Sequence, residues 1–234
     1  MDDKREPPEL DSSEVAIYAE TDIALRVAAK LQLALIEPSF DLLTQLPLDL
    51  TKRRIEYTTL SDARNRTDRF FVKPADCTDK VFDAGVCETG HAMRCPSRAT
   101  DNTPVLVSEP VLWDIEYRTI VLHRKVIAMS PYIRGGWLAP NEDDEWPTSV
   151  DEVSSVKEVC DALLRDTSLE LPPAFTLDVG RIEDRGWAVV EFNPVWCSGL
   201  LGCDLARVLP AIDGACFRKG HVPDEYSKWV ITRE

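Results

Sequence analysis

Residues 174–204 read AFTLDVGRIEDRGWAVVEFNPVWCSGLLGCD, and their pattern decides the fold class. Two apolar, alternating runs flank Glu183-Asp184-Arg185-Gly186, a polar cluster ending in glycine, which is the signature of a β-hairpin. A loop centred between Asp184 and Arg185 sets Asp178 opposite Glu191 and Val179 opposite Val190. Side chains alternate faces along a strand, so Asn193 shares a face with Glu191. Phe175, Leu177 and Val179 then meet Val190 and Phe192 on the other face. A three-residue loop with a glycine bulge would shift that register by one. In the unshifted register two carboxylates and an amide oxygen, from Asp178, Glu191 and Asn193, stand within reach of each other. Hard oxygen donors grouped in this way suit Mg²⁺ held jointly with substrate phosphates.

Outward from the hairpin the elements are mixed. The alternating runs Ile115–His123 and Val126–Ile133 predict a second hairpin through Arg124-Lys125, and Pro104–Glu109 a buried strand. Strands are also expected over Glu14–Tyr18, Arg54–Leu60, Arg69–Lys73 and Lys80–Cys87. Thr21 is placed at the start of a helix with Ile23, Val27, Leu31 and Leu35 at helical spacing, ended by Pro38. A short helix is expected over Ser39–Leu46 and a brief one from Ser61. Ser149 or Asp151 opens an amphipathic helix to about Asp166, with Val153, Val156, Val159, Cys160 and Leu163 on its apolar side. A last helix runs over Asp204–Ile212, and Asn141–Trp146 reads as an acidic loop. Antiparallel strands with a few covering helices make the class α+β.

With 234 residues and a net charge of −14, the chain has ample core material and no concentrated basic tract, which disfavours a nucleic-acid partner. The start, MDDKREPPELD, is charged and proline-rich, unlike a signal peptide. No apolar stretch is long enough to span a bilayer, so no membrane association and a cytoplasmic location are expected. Seven cysteines without paired spacing suit reduced thiols better than a disulfide framework. Cys87, His91 and Cys95, with Cys77 upstream, have the spacing of a zinc site on a helix, but Gly90 and Pro96 argue against a helix there. Loop thiols are the plainer reading. The three histidines are scattered and show no motif.

Three further features carry chemistry. Lys73 ends one strand and Lys80 begins the next, so the pair can contact different phosphates of one nucleotide. Glu116 and Arg118 project from one strand face, the acid suited to a ribose hydroxyl and the arginine to a phosphate or carboxylate. Ser108-Glu109-Pro110-Val111 ends a strand at a proline, and such a link offers unpaired backbone groups to an adenine edge. Each alone has a bland reading, as a solvated lysine, a surface ion pair or the wet side of a sheet. Their order along the chain is far more specific.

That order resembles the ATP-grasp superfamily, most closely its phage and bacterial branch with a signature of one arginine and two lysines. The resemblance is carried by FFVKPADCTDKVFDAGV (70–86), VLVSEPVLWDIEYRTIV (105–121), VIAMSPYIRGG (126–136) and LDVGRIEDRGWAVVEFNPVWCSGLLGCD (177–204). It implies an ATP-grasp fold, two α+β lobes gripping a nucleotide, over residues 67–234. A shortened preceding segment would span 14–66, after a disordered 1–13. Carried over, Lys73 and Lys80 would hold the nucleotide phosphates, Glu109 and Val111 would flank adenine, and Glu116 would meet the ribose. Asp178, Glu191 and Asn193 would chelate Mg²⁺. Arg118 would steady the transferred phosphate or the acyl group, and Arg181 would be a second cation near the acceptor. Where the family often has a glycine-rich phosphate loop, this chain has Asp76-Cys77-Thr78-Asp79.

The implied activity is an ATP- and Mg²⁺-dependent carboxylate–amine ligase working through an acylphosphate and releasing ADP and phosphate. The acceptor would be an amino acid, a peptide or a protein terminus. Alternatives are a phosphotransferase, which yields a stable phosphorylated product, and a non-catalytic ATP-binding interaction module, which the absent glycine loop favours. The blandest is a scaffold without nucleotide affinity. Cys197 is read as a packed thiol rather than a nucleophile. Trp137, Trp146, Trp187 and Trp196 are candidates for an acceptor cleft, with ordinary packing the plainer reading.

Overall fold

The computed structural model describes residues 15–76, 78–140, 143 and 145–232. The start predicted to be disordered lies outside these residues, as do Cys77 and the loop residues Asn141, Glu142 and Asp144. Helix α1 (Thr21–Leu31) turns Ala24 and Ala28 inward and leaves Ile23 47% exposed. It does not continue to Leu35. Gln32 adopts a left-handed φ of 56°, and its N–H closes onto the carbonyls of Ala28 and Ala29. Leu33–Leu35 becomes strand β1 and pairs with Cys216–Arg218 near the other end of the sequence, a partner no local spacing reveals. The strand expected over residues 15–18 is not formed either. That stretch is held instead by Tyr18 donating to Ser198 O at 2.9 Å and Ala19 N–H to Trp196 O at 3.0 Å.

After α2 (Leu48–Thr51) comes an antiparallel sheet in the order β2 (Ile55–Thr59), β5 (Pro104–Ser108), β3 (Phe70–Pro74), β4 (Gly85–Cys87). The two-residue period divides it cleanly. Phe70, Val72, Val105 and Val107 pack with Leu60 and Ala63 of α3 (Leu60–Arg64). Ile55, Phe71, Lys73, Leu106 and Ser108 line a cavity on the opposite face. The strand expected over Lys80–Cys87 shrinks to β4. The Asp76 carboxylate accepts from Thr78 N–H at 2.8 Å, the Thr78 hydroxyl at 2.7 Å and Asp79 N–H at 3.0 Å. Such an Asx turn curls the chain, and Lys80 is left exposed beyond it.

The second sheet runs β10 (Gly186–Asn193), β9 (Ala174–Ile182), β6 (Trp113–Leu122), β7 (Lys125–Arg134), β8 (Trp137–Leu138), all antiparallel. His123 and Arg124, at φ 45° and 59°, make the two-residue turn between β6 and β7. Arg124 then donates to the carbonyls of Leu164 (3.1 Å), Asp166 (2.9 Å) and Leu169, closing the end of α4 (Val150–Arg165). The Ser149 hydroxyl caps the other end of α4, accepting from Glu152 N–H at 3.2 Å. Val156, Cys160 and Leu163 of α4 bury against Ile115, Tyr117, Phe175, Leu177 and Val179, and such side chains contribute about 1.5–3 kcal/mol each. On the other face, the far end of β6 and β9 packs Ile120 and Ala174 against Val208, Ala211 and Ile212 of α5 (Leu205–Asp213). Its near end carries Glu116, Arg118 and Asp178. Among the described residues no helix is long and apolar enough to cross a membrane.

The β9–β10 hairpin reaches the predicted pairing by a different route. Its loop is Glu183–Arg185, three residues, with Asp184 at φ 62° and Gly186 at 86°. This moves the register by one, so Val179 pairs with Val189 rather than Val190. A bulge between Val189 and Glu191 then moves it back, and Glu191 pairs with Asp178. Val189 and Phe192 belong to the core, whereas Val190 lines the cavity.

Glu152, in the first turn of α4, accepts from Arg134 at 2.9 and 2.8 Å and from the Tyr117 hydroxyl at 2.7 Å. The Arg134 hydrogen bonds, opposed by burial and assisted by Tyr117, hold its carboxyl down at about 2. A depressed folded value means the unfolded chain takes the proton first. The stabilisation is therefore full above the ordinary value of 4.5 and lost as the pH falls toward about 2. Urea unfolding through that window should show a shallower loss for Glu152→Gln than for the wild type. Equal slopes would mean the carboxylate contributes nothing.

Candidate functional site

Strands β6 and β9 place Arg118 directly opposite Asp178. The guanidinium grips both carboxylate oxygens, Nε at 3.0 Å and Nη2 at 2.7 Å, and its Nη1 reaches Gly199 O at 2.8 Å. Asp178 is fully buried. Burial pushes its carboxyl above the usual range, while Arg118 pulls the other way. Burial works against the charge of Arg118, yet Asp178 raises its pKa overall. Gly199 belongs to the segment 194–203 that follows β10. There Gly202, at φ 84°, lies so close to Ser130 and the Trp146 ring that a Cβ would collide with both.

Glu191 of β10 stands beside Asp178 and binds Lys73, which arrives from the other sheet. Asn193 Nδ2 donates to its second oxygen at 2.9 Å. Burial would raise the Glu191 carboxyl, but Lys73, Asn193 and Arg118 together bring it to about 2. Glu116 also lines the cavity, where burial pushes its carboxyl up against the pull of the Tyr132 hydroxyl.

The cavity between the sheets has a volume of about 260 Å³. Ile55, Phe71, Leu106, Trp113 and Val190 give it apolar walls, Lys73, Glu116 and Glu191 a charged end, and Ser108, Glu109 and Val111 an edge of linker chain. Glu109 turns its carboxylate to Arg185 at 2.7 Å, tying the hairpin tip to the linker. Of the residues singled out from the sequence, Lys73, Glu109, Val111, Glu116 and Glu191 line this one cavity, and Arg118, Asp178 and Asn193 back its charged end.

Two are not drawn in. Lys80 is exposed beyond the Asx turn, where its carbonyl accepts from Arg98 at 2.8 Å. Arg181 is an odd-numbered residue of β9, so alternation turns it away from Asp178. It pairs with Asp114 at 2.9 Å and lies over the Trp187 ring. Of the four tryptophans, Trp196 is buried in the core, Trp137 is 80% exposed, and Trp187 packs at the edge of the α4 core. Among the described residues no three His, Cys, Asp or Glu side chains converge to hold a metal ion, so Cys87, His91 and Cys95 form no such group. The hairpin offers two carboxylates and an amide oxygen. Those donors fit a metal that takes its other ligands from phosphates and water, once Lys73 turns from Glu191 to a phosphate.

Two site residues escaped the sequence reading. Arg53, 7% exposed, donates to Thr51 O (3.1 Å), Val189 O (2.8 Å) and Val190 O (2.9 Å), and lies over Trp113 in the cavity wall. Burial lowers its pKa to about 10 against the fields of Glu116 and Glu191. The run Lys52-Arg53-Arg54 was a visible signal, but which member turns inward depends on the carbonyls exposed by the bulge. The other is Tyr132, whose hydroxyl donates to Glu116 at 2.6 Å. Nothing in its local pattern separates it from an ordinary strand tyrosine.

Residues 50–211 match a family model described as an ATP-grasp domain, the second family of its clade. No curated protein matches the chain significantly. Among solved structures, the ATP-grasp ligase PsnB, complexed with a phosphomimetic variant of its minimal precursor, Mg and ADP, is 18% identical with a TM-score of 0.44. The alignment covers 75% of this chain and 58% of PsnB, less than two thirds of that protein's length. The D-cycloserine synthetase DcsG is 14% identical at a TM-score of 0.44, over 74% of this chain and 70% of its own. The D-alanine–D-alanine ligase of Bacillus anthracis is 10% identical at 0.42, over 71% and 62%.

Proposed function

The chain belongs to the ATP-grasp family, and we propose that it is an ATP- and Mg²⁺-dependent carboxylate–amine ligase. One observation carries this reading. A cavity with apolar walls and a linker edge ends at two adjacent carboxylates, Asp178 and Glu191, faced across the sheets by Lys73. Adenine would lie against Ile55, Phe71, Leu106 and Val190, edged by Glu109 and Val111, with Glu116 toward the ribose. Lys73 and Arg53 would meet the phosphates.

Asp178, Glu191 and Asn193 would hold Mg²⁺, which when bound neutralises charge on the phosphate oxygens. Arg118 keeps Asp178 ionised and aimed while remaining bound to Gly199 O, which orients the loop over the reacting end. A substrate carboxylate would attack the γ-phosphate, releasing ADP. The acylphosphate would be captured by an amine, which loses a proton as inorganic phosphate leaves. No protein nucleophile is needed, so the chain's contribution is positioning and charge. The donor acid and the acceptor, an amino acid, a peptide or a protein terminus, are drawn from the family's chemistry.

A second reading, a nucleotide-binding module without turnover, is favoured by the acidic, glycine-less turn over residues 76–79. ADP release with any acid and amine pair would exclude it. The ligand-site reading itself is tested by calorimetric titration of ATP with and without Mg²⁺. Metal-dependent binding is expected, weakened about 10- to 100-fold in Lys73→Ala, since a charged hydrogen bond is worth about 1.5–3 kcal/mol. A folded wild type that binds no ATP would overturn the proposal.

A further inference from the structure

We propose that Tyr132 is a positioning residue that fixes Glu116 for the nucleotide's ribose diol, an inference that rests on the ATP-site reading above. Its placement comes from a bulge. Glu116 pairs with Ile133 and Tyr117 with Pro131, leaving Tyr132 as the extra residue of β7. A bulge re-aims the side chain it carries. Here the ring lies beneath the Arg118 guanidinium, 5.1 Å from carbon to ring centre. The hydroxyl thereby reaches two carboxylates, Glu116 Oε2 at 2.6 Å and Asp178 Oδ2 at 3.4 Å. A phenol carries one proton, and the shorter contact takes it.

Among the described residues Tyr132 is the one hydrogen-bond partner of the Glu116 side chain. Glu116 lines the cavity, whereas Tyr132 does not. The tyrosine therefore acts from behind. It pins one carboxylate oxygen and leaves the other to the cavity, where a pair of neighbouring hydroxyls is the complementary donor. Without that pin the carboxylate would have to be ordered by the ligand itself, at the cost of side-chain freedom. The same ring supports Arg118 and so the Asp178 end, which places the sugar and metal subsites on one side chain.

The test is calorimetric titration of the full chain with ATP and with 2′,3′-dideoxyATP, both with Mg²⁺, alongside urea unfolding. Wild type should prefer ATP. Tyr132→Phe keeps the ring under Arg118 but removes the hydroxyl. It should weaken ATP about tenfold, leave dideoxyATP within about twofold and so erase the preference. Adding Glu116→Gln should cost nothing further, because the two act as one unit. Glu116→Gln alone, which leaves Tyr132 and the Arg118–Asp178 pair in place, should erase the same preference and serves if Tyr132→Phe fails to fold. Equal weakening of both nucleotides, as a purely structural role requires, would overturn the inference, as would an unchanged preference. A wild type binding both nucleotides equally would remove the ribose role of Glu116 and this inference with it. A wild type binding neither would overturn the ATP-site reading itself.

Discussion

Asp178→Ala is expected to lower the unfolding free energy by about 3–5 kcal/mol, the usual cost of stripping one partner from a buried ion pair. The size follows from what is left behind. Arg118 would keep its Gly199 contact but lose both hydrogen bonds to the carboxylate, deep between β6 and β7. Urea unfolding reads the loss directly. Arg118→Met added to Asp178→Ala should recover a good part of it, because the stranded charge is the main penalty. A single variant within about 0.5 kcal/mol of wild type would mean the pair is not buried as described.

Trp196→Ala should cost a comparable amount, about 3–5 kcal/mol. Trp196 is among the largest fully buried side chains, its indole N–H donates to Ile36 O at 2.9 Å, and its carbonyl receives Ala19 N–H at 3.0 Å. It therefore joins β1 and the segment before α1 to the chain leaving β10, and sits in the cluster with Val208, Ala211 and Ile212. Trp196→Phe retains most of the volume and should recover much of the stability, leaving chiefly the unpaired Ile36 carbonyl. Equal losses for Ala and Phe would assign the effect to the hydrogen bond rather than to packing.

Much of the site was legible because it is written in strand alternation and in order along the chain. Lys73, Glu109, Val111, Glu116 and Glu191 reach one cavity from four places in the sequence, each on the face its parity requires. The caps Ser149 and Asp204 marked α4 and α5 correctly, since capping is local chemistry. What escaped depends on distant partners or irregular backbone. Gln32 ends α1 because Leu33–Leu35 finds a partner strand near the end of the chain. Lys80 fell away because Asp76 preferred its own neighbours' N–H groups to an extended loop. Arg181 was placed near the acceptor by resemblance, against its own parity. The Asp178–Glu191 pairing came out as read, yet through a loop and a bulge whose shifts cancel.

That cancellation ties together parts of the sequence far apart. The backbone around the compensating bulge supplies the Val189 and Val190 carbonyls that hold Arg53. A descendant that lost one residue from the loop would need to lose the bulge as well, or Glu191 would turn its back on Asp178. Losing the bulge would in turn strand Arg53 without its acceptors. Hairpin length and the identity of residue 53 are thus inherited as a unit, and neither can drift without the other.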